Sequence, residues 1–102
     1  MTSDVGDKEQ VKKRKSKAQL EQERQDEDLR KVLETYEGRS FIWWLLENAG
    51  IYRTTFSVEP NEAAFNEGIR QIGLLTLSRV DEVAPNAYTK IRAEAQARKE
   101  NT

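Results

Sequence analysis

GRSFIWWLLENAG, residues 38–50, is the stretch that decides how this chain folds. It contains six consecutive apolar residues, Phe41 to Leu46, in a chain of 102 residues of which 34% are charged. Both tryptophans of the chain, Trp43 and Trp44, stand side by side in this run. Six residues fall far short of the ~20 that a helix needs to cross a bilayer. We therefore expect no membrane span, and the run belongs to a core, to a pocket or to a surface that binds a partner.

The run predicts a helix from about Phe41 to Asn48, with Ser40 as its N-cap and Gly50 closing it. A helix that is apolar all round is normally buried on most of its sides. Successive residues of a helix point about 100° apart. The two tryptophans therefore face different directions, and we expect at least one of them to lie near the surface.

Three further helices are predicted around this one. The first covers residues 19–37, where apolar side chains recur at helical spacing, and Gly38 is expected to end it. The third covers about residues 62–83, and a short last helix starts at Pro85. The sequence thus predicts an all-α fold, a small bundle of about four helices.

The third helix has a long apolar stripe that we expect to face the core. Its members are Phe65, Ile69, Ile72, Thr76, Val80 and Val83. Two glycines, Gly68 and Gly73, lie inside this helix, and each costs about 1 kcal/mol relative to alanine in an exposed helix. Their presence indicates a close neighbour, for which the tryptophan helix is the obvious candidate.

The charges divide the chain into a flexible basic tail, residues 1–18, and a helical domain, residues 19–100. The tail has six basic and three acidic side chains, whereas residues 19–37 have three basic and seven acidic ones. The tail holds too few apolar side chains to offset the entropy of ordering it. Its basic cluster is a candidate for contact with DNA or an acidic protein surface, and folding back onto the acidic stretch is the alternative. The cluster comprises Lys12, Lys13, Arg14, Lys15 and Lys17.

Catalytic chemistry has few candidate residues in this sequence. Cysteine and histidine are both absent, which removes the thiolate, the usual general base and the commonest metal ligand. The carboxylates of Asp26, Glu27 and Asp28 belong to a charged run of the kind that forms a solvated helix face. We therefore expect no catalytic site, no metal site and no cofactor, and the protein is predicted not to be an enzyme.

A partner-binding site is predicted around the tryptophan helix. Tryptophan and arginine are the residues most enriched in interface hot spots, and a core of this size can rarely enclose every aromatic side chain. The candidate residues are Arg39, Trp43, Trp44, Tyr52 and Arg53. The alternative is that the tryptophans are core residues and that Glu67 satisfies one of the two arginines. Glu67 and Arg70, spaced i, i+3, are predicted to form a structural ion pair.

Two separated motifs resemble a family of small bacteriophage proteins, of the type found in a Bordetella phage. The first is EGRSFIWWLLENAGIYRTTF, residues 37–56, and the second is AFNEGIRQIGLLTL, residues 64–77. The likeness covers about residues 26–95. The matching positions are Gly38, Arg39, Phe41, Trp44, Leu45, Leu46, Glu47, Gly50, Tyr52, Phe56, Phe65, Glu67, Gly68, Arg70 and Gly73.

The resemblance implies a product of the structural region of a tailed-phage genome. It favours a virion-associated structural or assembly protein, either a small accessory factor at the portal or tail or a protein ejected with DNA. The implied partner is a larger virion protein of the portal, tail or capsid, bound in several copies. The implied location is the virion, and the host cytoplasm during assembly. The alternative is a non-virion phage effector that binds a host protein or nucleic acid.

Overall fold

The computed structural model describes residues 14–101, which form four helices and, within that range, no strand. The prediction of an all-α bundle of about four helices is confirmed. Lys12 and Lys13 of the predicted tail lie outside the described residues. The helices are α1 (Lys17–Glu34), α2 (Tyr36–Asn48), α3 (Pro60–Val83) and α4 (Ala87–Glu100).

The first half of α1 is a polar helix held by its own side chains. Ser16 caps it in a capping box: its hydroxyl accepts from the Gln19 amide at 3.1 Å, and the Gln19 side chain accepts from the Ser16 amide at 2.9 Å. Arg24 pairs with Glu21 one turn before it and with Asp28 one turn after it. Such i, i+3 and i, i+4 pairs stabilise a helix that has no apolar stripe to bury.

A single residue, Thr35, separates α1 from α2. Its backbone is extended (φ −102°, ψ 147°), and its hydroxyl oxygen accepts a hydrogen bond from the Gly38 amide at 2.9 Å. Gly38 lies in the first turn of α2, where a β-carbon would overlap the Val32 carbonyl oxygen. The predictions that Gly38 ends the first helix and that Ser40 caps the second were therefore wrong. Gly38 is required because two backbone segments approach closely there.

The C-terminal end of α2 agrees with the prediction that Gly50 closes it. Gly50 has a φ of 72°, the left-handed conformation that glycine adopts without strain. The chain then runs through an irregular connector to Pro60, which stands in the first turn of α3. The last helix begins at Ala87, two residues after the predicted start at Pro85.

The core is small and is centred on α2, which packs against each of the other three helices. Its buried members are Leu33, Ile42, Leu46, Val80 and Ile91. These few buried side chains do not cover the other large apolar residues of the four helices. Many large apolar side chains consequently stay at the surface.

The two glycines of α3 have different surroundings. A β-carbon at Gly73 would lie 2.5 Å from the Ala49 β-carbon and 2.6 Å from Cγ2 of Ile51. Gly73 therefore lets α3 approach the end of α2, but the neighbours are Ala49 and Ile51 rather than the tryptophans. A β-carbon at Gly68 would have nothing within 4 Å, so the expected close neighbour is wrong for that position.

Candidate partner-binding surfaces

Exposed apolar side chains outnumber buried ones in the described residues. Only six apolar residues are buried, three of them completely, whereas twelve large ones are at least one-third exposed. The exposed set is Leu20, Val32, Tyr36, Phe41, Trp44, Tyr52, Phe56, Val58, Phe65, Ile69, Ile72 and Leu75. Single exposed apolar residues are ordinary on protein surfaces, but contiguous patches mark interaction sites. Two helices present such patches.

The outer face of α2 carries a stacked aromatic pair. We call this surface the α2 face and define it by four residues: Glu37, Phe41, Trp44 and Asn48. The Phe41 and Trp44 rings lie 5.5 Å apart and are stacked, and the two residues are 59% and 54% exposed. Asn48 donates from Nδ2 to the Trp44 carbonyl at 2.8 Å, one turn along the same face. Because the two rings support each other, the pair forms a rigid apolar ridge rather than two independent side chains.

Trp43 points away from this ridge, toward the core. It is half-buried against the central cluster, and its ring lies 5.7 Å from that of Tyr52. The Tyr52 hydroxyl shares a hydrogen bond with the Tyr88 hydroxyl on α4. Burial and this hydrogen bond raise the pKa of Tyr52. Trp44, not Trp43, is therefore the exposed tryptophan, and Tyr52 joins the connector to α4.

Arg39 is not available to a partner, contrary to its predicted role. It is only 8% exposed. Its guanidinium forms a bidentate salt bridge with Glu94 of α4, in which Nε donates to Oε1 at 2.7 Å and Nη2 donates to Oε2 at 3.0 Å. Its third nitrogen donates to the Leu33 carbonyl at 2.8 Å. The Arg39 guanidinium lowers the pKa of Glu94, and Glu94 in turn raises the pKa of Arg39. The charge of Arg39 is thus satisfied within the chain, but by Glu94 rather than by Glu67, the expected partner.

Arg53 is exposed but is tied to the end of α2. Its Nη2 donates to the Glu47 carbonyl at 3.2 Å, so the cation lies against the carbonyls that end the helix. With Asn48 and Ile69 it lines a cavity of about 160 Å³ between the connector and α3. Of the two predicted arginines, only Arg53 presents its charge to solvent.

The predicted ion pair between Glu67 and Arg70 is absent. Glu67 accepts instead from Nε2 of Gln71 at 2.9 Å, and no salt bridge within 4 Å joins it to Arg70 in the described structure. Hydrogen bonds from Gln71 and then Thr55 lower the pKa of Glu67, with a smaller contribution from the charge of Arg70. Gln71, four residues after Glu67, brings its side-chain amide within hydrogen-bond distance of the carboxylate, whereas the guanidinium of Arg70, three residues after Glu67, does not form the salt bridge.

The described part of the basic tail makes contact with α1. Lys15 forms a salt bridge with Glu23, and Lys17 is the first residue of α1. Arg14 lies just before the helix and is exposed. The contact of Lys15 agrees with the alternative in which the tail turns back toward the acidic stretch.

A second apolar face lies on α3, where the sequence predicted an inward stripe. The second half of that stripe is at least partly buried, since Val80 is fully buried, whereas Phe65 and Ile72 are 67% and 58% exposed. Leu75 is also 59% exposed. A regular spacing could have revealed this second face: residues 61, 65, 68, 72, 75 and 79 repeat every four and three positions, which is a coiled-coil interval.

Other kinds of site have no support in the described residues. No group of three or more acidic side chains there is arranged to hold a metal ion. Across residues 14–101, no helix combines the length and the apolar character that a membrane crossing requires. Within the same range, every buried side-chain nitrogen and oxygen has a hydrogen-bond partner, so none is left aimed at a missing ligand.

Fold and surface together define a small all-α protein that buries few apolar side chains and carries aromatic and aliphatic patches on two helices. A family model described as Bbp19-like phage protein matches residues 29–93, well over half of the chain. The protein therefore belongs to the family of Bbp19-like phage proteins. No curated protein and no solved structure matches it.

Proposed function

We propose that this phage protein is a virion-associated structural or assembly protein that docks on a larger virion component through the α2 face. The role would be that of a small accessory factor at the portal or tail, or of a protein ejected with DNA. The observation that carries the proposal is the stacked Phe41–Trp44 ridge, more than half exposed, inside the segment that the family model matches.

The ridge has the features of a docking anchor. Tryptophan at the centre of an interface is the typical hot-spot residue, and a pre-stacked pair loses little side-chain entropy on binding. The opposite side of α2 is fixed by Ile42 and Leu46 in the core, so the ridge cannot turn inward. A partner that buries both rings would gain affinity without any rearrangement of the bundle.

The charges near the ridge indicate the chemistry of the partner. Glu37 lies one turn before Phe41 on the same face, and Glu47 lies one turn after Trp44. The α2 face therefore fits an apolar pocket that has a basic residue at its rim. It fits nucleic acid poorly, because carboxylates beside the rings repel phosphate.

Mass spectrometry of gradient-purified particles tests the location. We expect the protein at a fixed copy number per particle after washing with high salt. Its absence from stringently purified particles would refute the virion assignment and favour an effector that acts in the host cell.

A matched pair of variants tests the docking surface. Phe41→Ala removes half of the ridge, and Phe56→Ala removes a phenylalanine of the connector that is even more exposed, 77% against 59%. We expect the first variant to leave the particle, or to bind at least ~30-fold more weakly, since a central aromatic anchor contributes about 2 kcal/mol or more. The second variant should be retained. Equal retention of both would show that the α2 face does not dock.

A further inference from the structure

We infer that the outer face of α3 is a self-association surface, on which a second copy of this chain packs its own α3 in the antiparallel direction. We call this surface the α3 face: Phe65, Gly68, Ile72 and Leu75. It is independent of the α2 face on which the proposed function depends, because the two surfaces lie on different helices.

The spacing of the face is that of a helix–helix seam. The four positions recur at intervals of three, four and three residues, and Asn61 and Arg79 continue the interval as polar ends. Helices with apolar side chains at this interval pack side by side along their length. The inner side of α3 is already used, because Gly73 and Val80 face the chain's own core. The seam is thus a second, largely exposed apolar side of the helix, and its polar end Arg79 forms ion pairs with Asp26 of α1 and with Glu82.

The order of side chains along the seam favours an antiparallel copy. With the two-fold axis near residue 70, Ile72 of one copy meets the space beside Gly68 of the other, and Phe65 meets Leu75. Gly68 has open space around it, so the larger Ile72 can enter there. A parallel, in-register pair would instead place Gly68 against Gly68 and leave a gap at the centre of the interface.

The charges beside the seam agree with self-association. A two-fold interface sets the same surface of both copies face to face, so like charges on the flank would repel each other. One flank consists of Ala64, Gln71 and Ser78, none of which is charged, and the other, Glu62, Ile69 and Thr76, has a single charge at its N-terminal end, away from the two-fold axis. The α2 face lacks this property, since two copies would bring Glu37 of each toward the other.

The exposed area indicates a weak, reversible pair. Taking about 200 Å² for a fully exposed large side chain, Phe65, Ile72, Leu75 and the neighbouring Ile69 present roughly 400 Å² per copy. The flank residues add to this figure, which brings it near the ~600 Å² per partner at the lower end of specific interfaces. We therefore expect dimers that dissociate on dilution rather than a permanent dimer.

Sedimentation equilibrium of the full chain over a range of concentrations tests the pairing. The expected result is a monomer–dimer equilibrium. Ile72→Asp should raise the dissociation constant of the dimer at least ~100-fold. A central interface residue contributes a factor of ten or more to the affinity, and a symmetric dimer contains that residue twice. Trp44→Asp, the control on α2, should leave it unchanged. Circular dichroism shows whether each variant keeps its helices. A chain that stays monomeric at all concentrations, or a dimer that a folded Ile72→Asp variant leaves intact, would overturn the inference.

Single cysteines test the direction, since the chain contains no cysteine of its own. Gln71 lies near the two-fold axis, so a Gln71→Cys variant should form a disulfide-linked dimer under mild oxidation. Ser78→Cys should not link to itself but should link to Ala64→Cys when the two variants are mixed. Absence of the mixed product would refute the antiparallel arrangement. No linkage at Gln71 would contradict it as well.

Discussion

Alanine substitution at the two glycines inside α3 is expected to affect stability in different directions. Alanine is favoured over glycine in a helix by about 1 kcal/mol, and this gain is the same at both positions. At Gly68 a β-carbon meets nothing within 4 Å, so Gly68→Ala should raise the free energy of unfolding by up to about 1 kcal/mol.

At Gly73 the same methyl group has no room. It would lie 2.5 Å from the Ala49 β-carbon and 2.6 Å from Cγ2 of Ile51, about 1 Å closer than carbon atoms normally approach. Overpacking of this kind costs about 1–3 kcal/mol. After the helix gain, Gly73→Ala should lower the free energy of unfolding by about 0–2 kcal/mol. The two variants should therefore differ by about 1–3 kcal/mol.

Urea unfolding followed by far-ultraviolet circular dichroism measures both values, at a concentration low enough for the monomer to dominate. Ala49→Gly should restore part of the loss in the Gly73→Ala background, because the nearest clashing atom is removed. It should restore nothing in the Gly68→Ala background. Equal shifts of the same sign in the two glycine variants would refute the close packing of α3 on the end of α2.

Three further outcomes follow from single contacts. Because the pKa of Glu94 is lowered by Arg39, the pair stabilises the fold above the ordinary carboxyl pKa of about 4.3, and this stability is lost as the pH falls through the lowered value. Urea titrations from neutral to acid pH should show the gap between wild type and Glu94→Gln closing, and a constant gap would contradict the pairing. Leu46→Ala removes a fully buried side chain and should lower the free energy of unfolding by about 3 kcal/mol. Leu20→Ala, at an exposed position on α1, should change it by no more than about 0.5 kcal/mol in the same assay. Ser16→Ala should cost about 1 kcal/mol of helix stability by removing the cap of α1, seen as reduced helical dichroism, and unchanged dichroism would argue against the capping box.

Local patterns were enough to predict the helices and the exposure of one tryptophan. The helical runs have clear periods, and two adjacent residues of a helix cannot both face one core. The boundary between the first two helices was harder, because Thr35 and Gly38 both resemble helix-end residues. Only the packing shows that Thr35 makes the break and that Gly38 permits two backbones to approach.

The surfaces were less predictable than the helices, for a physical reason. An apolar stripe shows that a helix has a side to bury, but not whether the covering element belongs to the same chain. The stripe at Phe65 and Ile72 was therefore assigned to the core. The partner of Arg39 was equally hidden, because Glu94 lies 55 residues along the chain and no local rule joins the two.

The contacts of Arg39 also determine how the bundle opens. One guanidinium, from the first turn of α2, joins the last turn of α1 through Leu33 and the middle of α4 through Glu94. Releasing α4 would leave the buried cation without its carboxylate, and releasing the end of α1 would remove a further hydrogen-bond acceptor, so we expect these segments to separate together. Their amide hydrogens should then exchange with solvent as one cooperative unit, with a common opening free energy. The amides of the polar first half of α1 lack such a link and should exchange through local fraying, well before the bundle opens.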